Sequence, residues 1–167
     1  WARARSAREK TSKIWNSGDL FELGLNLMNE ASAIFCRYNP LQAEVQYRDG
    51  LMVTLLAARP VRLKNLTAIR IGHHLIRNDD VYWLVFEARE VKNHRHIEVP
   101  IPEALAPYFD DYLAHHRPRL LQGKQSDRLW ISRFGGDLSS NSIRRQIKLH
   151  TEAAFGKPIY PHLFRDC

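Results

Sequence analysis

Residues 70–99 read RIGHHLIRNDDVYWLVFEAREVKNHRHIEV. Three pieces of this stretch, 70–76, 81–88 and 94–99, are rich in β-branched and aromatic residues. Asn78-Asp79-Asp80 and Lys92-Asn93 separate them with residues suited to tight turns, so the stretch predicts a small three-stranded antiparallel sheet.

Outward from it the period changes to that of helices. Upstream, Leu20, Leu23, Leu27, Ala31, Ile34 and Phe35 fall on one helix face, with Asp19 as an N-cap after Gly18 and an end near Arg37. Asn39-Pro40 then sets an N-cap before a proline at the first helical position, with Gln42 at capping-box distance, and Leu41, Val45, Arg48, Met52 and Leu55 carry that helix to about Ala58. After Pro60 a short helix over 61–68 turns Leu63 and Leu66 inward. Downstream, Pro102 opens a helix reaching about His115, Leu129-Trp130-Ile131 is a short extended piece, and Phe134-Gly135-Gly136-Asp137 is a turn. Ser139 or Ser140 caps a long helix with Ile143 and Ile147 on its inner face and Gly156 as its stop. The fold class is α+β: mainly helical, around the small sheet. Residues 1–18 carry Arg3, Arg5, Arg8, Lys10 and Lys13 against one Glu9 and read as a basic linker; residues 19–167 form one domain.

Hydrophobic residues are 44% and charged residues 26% of the 167, enough to bury a core. Apolar runs such as Leu55–Ala58 are far short of the roughly 20 residues that span a bilayer. No signal segment opens the chain, so a soluble, cytoplasmic protein is expected. Cys36 and Cys167 have no paired spacing and are expected to be free thiols. The net charge of +7 favours a polyanionic partner, because basic groups gain affinity by displacing counterions from phosphates.

Dinucleotide and phosphate-loop glycine motifs, HExxH, GxSxG and paired CxxC are all missing from the sequence. Among the eight histidines, His73-His74, His115-His116 and His94-x-His96 are the candidate metal pairs, but no acidic or cysteine cluster completes a site in sequence. No metal and no cofactor are expected.

Chemistry is better sought in a scattered basic set: Arg62 in Arg-Leu-Lys-Asn-Leu, Lys92 in the strand turn, and His162 three residues before Arg165. Taken singly, Arg62 reads as a surface or capping arginine. Lys92 alone reads as a solvated turn lysine with Arg95 as a competitor, and His162 and Arg165 as first-turn residues of a helix. A cation in a first turn opposes the helix dipole, however, and wants an anionic partner. In order and in predicted context, with the strand ending at Val99-Pro100, the set resembles the tyrosine recombinase (phage integrase) family over roughly residues 19–167. There an arginine opens a short helix after a long one, a lysine sits between the second and third strands, and His-x-x-Arg begins a later helix.

The resemblance implies a DNA breaking-rejoining core working through a 3′-phosphotyrosine, without metal or nucleotide, as an oligomer (a tetramer on paired sites) on double-stranded DNA at the nucleoid. Arg62 and Arg165 would clamp the non-bridging oxygens, whose charge grows during attack. His162 would assist the phosphate or the nucleophile's proton, and Lys92 would protonate the leaving 5′ oxygen. Lys64, Arg70, Arg95, Ser139, Asn141, Arg144 and Arg145, at helix starts or beside the proposed site, would track the DNA backbone.

Two departures stand out. Asn65 occupies a position, three after the first arginine, that is acidic in many relatives. The family's nucleophilic tyrosine and third imidazole or indole lie beyond His-x-x-Arg, so these 167 residues are expected to bind DNA without cutting it. Tyr160, two residues before His162, reads as a buried or edge tyrosine instead. A non-catalytic DNA-binding module of this fold, a type IB topoisomerase and a metal-dependent nuclease remain alternatives.

Overall fold

The structure, a computed structural model, describes residues 16–34 and 39–165. Both cysteines and nearly all of the basic N-terminal segment lie outside the described residues.

Asn16 starts the first helix, α1 (Ser17–Ala31), accepting the Gly18 N–H on its side-chain oxygen at 2.9 Å. The cap is therefore Asn16, not Asp19, and α1 stops six residues short of Arg37. Its buried face is Leu20, Gly24, Met28 and Ala31, one step round from the leucines that the periodicity favours. Glycine and methionine are what allow this, because they let α2 (Gln42–Ala58) press close against it.

Asn39 does not cap α2. It forms a preceding turn, its carbonyl taking the Gln42 N–H at 3.0 Å and its amide donating to the Gln42 side chain at 2.7 Å. From Tyr47 to Leu56 every residue of α2 is buried, so it is the central helix of the molecule.

After Pro60, α3 (Leu63–Ala68) starts with Arg62 in extended backbone at its N-cap. The sheet follows as β1 (Leu75–Asn78), β2 (Val81–Phe86) and β3 (Ile97–Pro100), antiparallel in the order β1-β2-β3. Asn78 pairs with Val81 across Asp79-Asp80, and Asp79 supplies the positive φ (52°) of that tight turn. Tyr82, Leu84 and Phe86 alternate into the core. All three strands are shorter than their sequence suggests: β2 stops at Phe86, and a 3₁₀ turn takes over at Ala88. Gly72 (φ 79°) breaks 70–76 into a turn whose N–H groups return to the Arg70 carbonyl, and His94 (φ 51°) delays β3 to Ile97.

The next helix runs further than expected, through a 3₁₀ turn (Glu103–Leu105), α4 (Ala106–Asp111), a π turn (Tyr112–His116) and α5 (Arg117–Leu121). Pro118 accounts for the π turn: it lacks an N–H and would crowd the carbonyl four residues back, so the helix widens ahead of it and the Arg117 N–H reaches the Tyr112 carbonyl. Gln122, in left-handed backbone, ends the run. Ser139 caps α6 (Ser140–Phe155), its hydroxyl accepting the Ser142 N–H at 3.2 Å, and Gly156 (φ 72°) closes it. A 3₁₀ turn (Pro161–Arg165) completes the described chain.

One core joins these parts. Leu51, Leu55, Leu66, Leu84, Phe109, Trp130 and Ile143 are each at most 1% exposed, and the Trp130 indole N–H donates to the Leu66 carbonyl at 3.0 Å. Among the described residues no helix is long and apolar enough to cross a membrane.

Candidate nucleic-acid interface

Arg62 stands where α2 hands over to α3. Pro60 forces the chain out of α2, and Val61 anchors it in the core. The Arg59 guanidinium then ties the corner to the end of β3 by donating to the Pro100 carbonyl at 2.8 Å. Arg62 is thereby the first side chain past a corner fixed on both sides.

Arg165 reaches the same place from the far end of the sequence. The Ile159 N–H donates to the Thr151 hydroxyl at 2.9 Å, Pro161 and Phe164 are buried, and the 3₁₀ turn between them leaves His162 and Arg165 facing out. This is a 3₁₀ turn rather than the α-helix start that the sequence suggests, but the spacing of three still sets His162 and Arg165 on one side.

Two adjoining hollows meet along these arginines. The first, about 120 Å³, is lined by Arg62, Asn65, Val91, Asn93, Ile97 and Arg165 among others. The second, about 190 Å³, is lined by Arg62, Leu63, Arg144, Pro161, His162 and Arg165. Both are smaller than an ordinary metabolite pocket of about 300–1,000 Å³ and suit a group the size of a phosphate on a larger ligand. Three guanidiniums and an imidazole line the second hollow and, among the described residues, no carboxylate does. Among the described residues, none of the three guanidinium groups has a hydrogen-bond or ion-pair partner. Converging cations without counter-charges form an anion site.

Lys92 does not line either hollow. Its neighbours Val91 and Asn93 line the first, and Lys92 itself is exposed at the corner of the turn between them. Arg144, assigned from sequence only to backbone tracking, instead faces Arg62 and Arg165. Helical phase explains why the sequence does not pair it with Arg62: Ile143 and Ile147 face the core, and only contact with α3 and the C-terminal turn decides which outward residue meets Arg62.

The remaining basic candidates divide. Asn141, Arg144, Arg145 and Lys148 line a shallow surface along α6 that continues from the second hollow. Lys64 faces a separate hollow with Asn65, His74, Arg89 and Glu90. Arg95 is exposed beyond the Lys92 turn. Arg70 lies 3.6 Å from Asp127, and Ser139 spends its hydroxyl on capping α6. Tyr160 is exposed rather than buried, with the Lys148 ammonium 5.0 Å above its ring and the His162 ring 5.8 Å away.

Behind the first hollow, the Asn65 amide donates to the Glu90 carbonyl at 3.4 Å. His73, His74 and Glu90 gather closely enough to suggest a metal, but His74 has no lone pair to give. Its Nδ1 accepts the Arg70 N–H at 3.0 Å, which places its proton on Nε2, and that N–H donates to Glu90 at 2.9 Å.

Residues 27–167 match the Phage integrase family. The chain is 29% identical over 120 residues to tyrosine recombinase XerD of Chlorobaculum tepidum, covering 71% of this chain and 37% of that protein. It is 28% identical over 121 residues to XerD of Staphylococcus saprophyticus, covering 71% and 39% respectively. The chain therefore spans a little over a third of the length of these relatives. Its fold is that of the XerH site-specific recombinase bound to palindromic difH substrate after cleavage, with a TM-score of 0.60 at 15% identity over 86% of this chain and 38% of that one. The pre-cleavage XerH complex on difH matches with the same score. The ordered basic set, the sheet within a helical core and the match over most of its length place this chain in the phage integrase family, the tyrosine recombinases.

Proposed function

We propose that the chain is the greater part of the catalytic domain of a site-specific DNA recombinase, and that the hollow between α3, α6 and the C-terminal turn receives the phosphate to be cut. The observation that carries this reading is the convergence of Arg62, Arg144 and Arg165 with no carboxylate of the described residues lining the same hollow.

Attack by a phenolic oxygen forms a new bond to phosphorus as the bond to the 5′ oxygen breaks. Arg62 and Arg165 bear the charge that builds on the non-bridging oxygens, where fixed guanidiniums act without reorganising. His162 takes the phenol's proton, and the Lys92 ammonium gives one to the departing 5′ oxygen. Arg144 joins the two arginines in holding that phosphate, Arg145, Asn141 and Lys148 hold the backbone beyond the cut, and Lys64 and Arg95 lie on the sides nearer the sheet. The attacking tyrosine is not among these residues, and the 167 residues alone bind DNA without cleaving it. The whole protein works as an oligomer on paired duplex sites, in the cytoplasm where its DNA lies.

Titrating this chain into labelled duplex DNA at several salt concentrations tests the binding half of the proposal. The logarithm of affinity is expected to fall linearly with the logarithm of salt. Arg144→Ala reduces that slope by about 1, the share of one phosphate contact. A midpoint indifferent to salt would overturn it.

A further inference from the structure

The connection from β2 to β3 opens with a 3₁₀ turn (Ala88–Glu90) and continues in a tight turn. There the His94 N–H returns to the Val91 carbonyl at 2.9 Å, with Lys92 and Asn93 at the corner. A strand connection of this kind is ordinarily a mobile part of a fold, and a lysine on it would sample many positions.

Glu90 removes that freedom. Its Oε2 accepts the Glu87 N–H at 2.8 Å, its Oε1 accepts the His74 Nε2–H at 2.9 Å, and its carbonyl accepts the Asn65 amide. One residue, two before Lys92, is thus tied to the end of β2, to the turn ahead of β1 and to α3, the helix that Arg62 opens. His74 is a firm anchor: 4% exposed, packed on the Phe86 ring at 4.9 Å, with its tautomer set by the Arg70 N–H. The hydrogen bond from His74, helped by the Glu87 N–H, outweighs burial and holds the Glu90 carboxyl below the ordinary carboxylate range, so it is a charged acceptor at neutral pH. Asn65, at the position that is acidic in many relatives, is the link between this anchor and α3.

We infer that Glu90, held by His74, is a positioning residue for Lys92: it fixes the lysine-bearing turn against the Arg62 corner and so sets the reach of the ammonium to the leaving 5′ oxygen. This rests on the assignment of Lys92 as the proton donor. Glu90→Gln keeps the volume but presents an N–H to one of two groups that are themselves donors, so one bond is lost and the turn loosens.

The test uses the intact gene product and two nicked substrates, one natural and one with sulfur in place of the bridging 5′ oxygen at the cut. A thiolate leaves without a proton, since thiols ionise near pH 8.5, about where solvent can manage unaided. On the natural substrate Glu90→Gln is expected to slow cleavage at least about 10-fold, part of the 10² to 10⁴ that a general acid supplies. On the sulfur substrate it should fall within about threefold of the unaltered protein, and Lys92→Ala should recover likewise, because neither then needs the missing proton. His74→Asn, which breaks the same bond from its other end, must follow the same pattern.

If Lys92→Ala recovers on sulfur but Glu90→Gln does not, the positioning role is wrong while the lysine's role stands. If Lys92→Ala fails to recover, the assignment of Lys92 falls and this inference with it. A Glu90→Gln protein that cuts the natural substrate at full rate also overturns it, as does one that has lost both reactions through unfolding.

Discussion

Asp49 shows how much of the interface is decided by a single residue far from it. It lies on α2 at 2% exposure, with Oδ1 accepting from the Arg48 guanidinium at 2.6 and 2.9 Å and Oδ2 accepting from the His150 imidazole at 3.0 Å. Arg48, equally buried, donates onward to the Ile131 carbonyl at 2.8 Å. The cluster joins α2, α6 and the extended piece before α6, so it helps set the turn of α6 that aims Arg144. A buried ion pair adds little over an apolar one, but removing one partner strands the other charge. Asp49→Ala is therefore expected to cost about 3–5 kcal/mol in urea unfolding, and a loss under about 1 kcal/mol would refute the role given to the cluster. The sequence sets Arg48 in the apolar spacing of α2 but gives no sign that Asp49 joins it. Adjacent Arg and Asp in a helix normally point apart toward solvent, and only the burial of α2 on every side turns both inward.

At the scale of elements, the close crossing of α1 and α2 governs the frame. A methyl group placed on Gly50 would stand 2.7 Å from the Gly24 carbonyl and 2.9 Å from Leu27 and Met28; one on Gly24 would stand 2.6 Å from the Gly50 carbonyl. Helix propensity alone favours alanine over glycine by about 1 kcal/mol, so the sign of the change is informative. Gly50→Ala is expected to lower stability by about 1–3 kcal/mol through overpacking, and a rise in melting temperature would contradict the crossing described here. Elements whose cause is local were the legible ones: the β-branched and aromatic composition of β2, the Asp79-Asp80 turn, the Ser139 cap and the Gly156 stop. Elements whose cause is tertiary were not. The buried face of α1 depends on where α2 can approach, and the π turn on how a proline is absorbed rather than on its presence.

Across the whole molecule, residues separated by about a hundred positions are brought to one anion site: Arg62 from the α2–α3 corner, Arg144 from α6 and Arg165 from the C-terminal turn. The residues and their order were picked out through the resemblance to the tyrosine recombinases, each one alone reading as an ordinary surface group. Their distances were not, since Lys92 follows its turn and Arg144 follows the phase of α6. The arrangement also separates binding from chemistry. In the proposed function, long-range attraction to DNA would be shared among many cations, whereas charge stabilisation in the transition state would fall on the clamp.

The most direct measurement is a denaturing gel of the intact gene product after incubation, in EDTA, with a nicked duplex carrying its own recombination site. The account predicts a covalent protein–DNA adduct whose rate of formation drops about 10² to 10³ in Arg62→Ala and in Arg165→Ala, with binding changed far less. No adduct despite salt-sensitive binding, or one that EDTA abolishes, would contradict it.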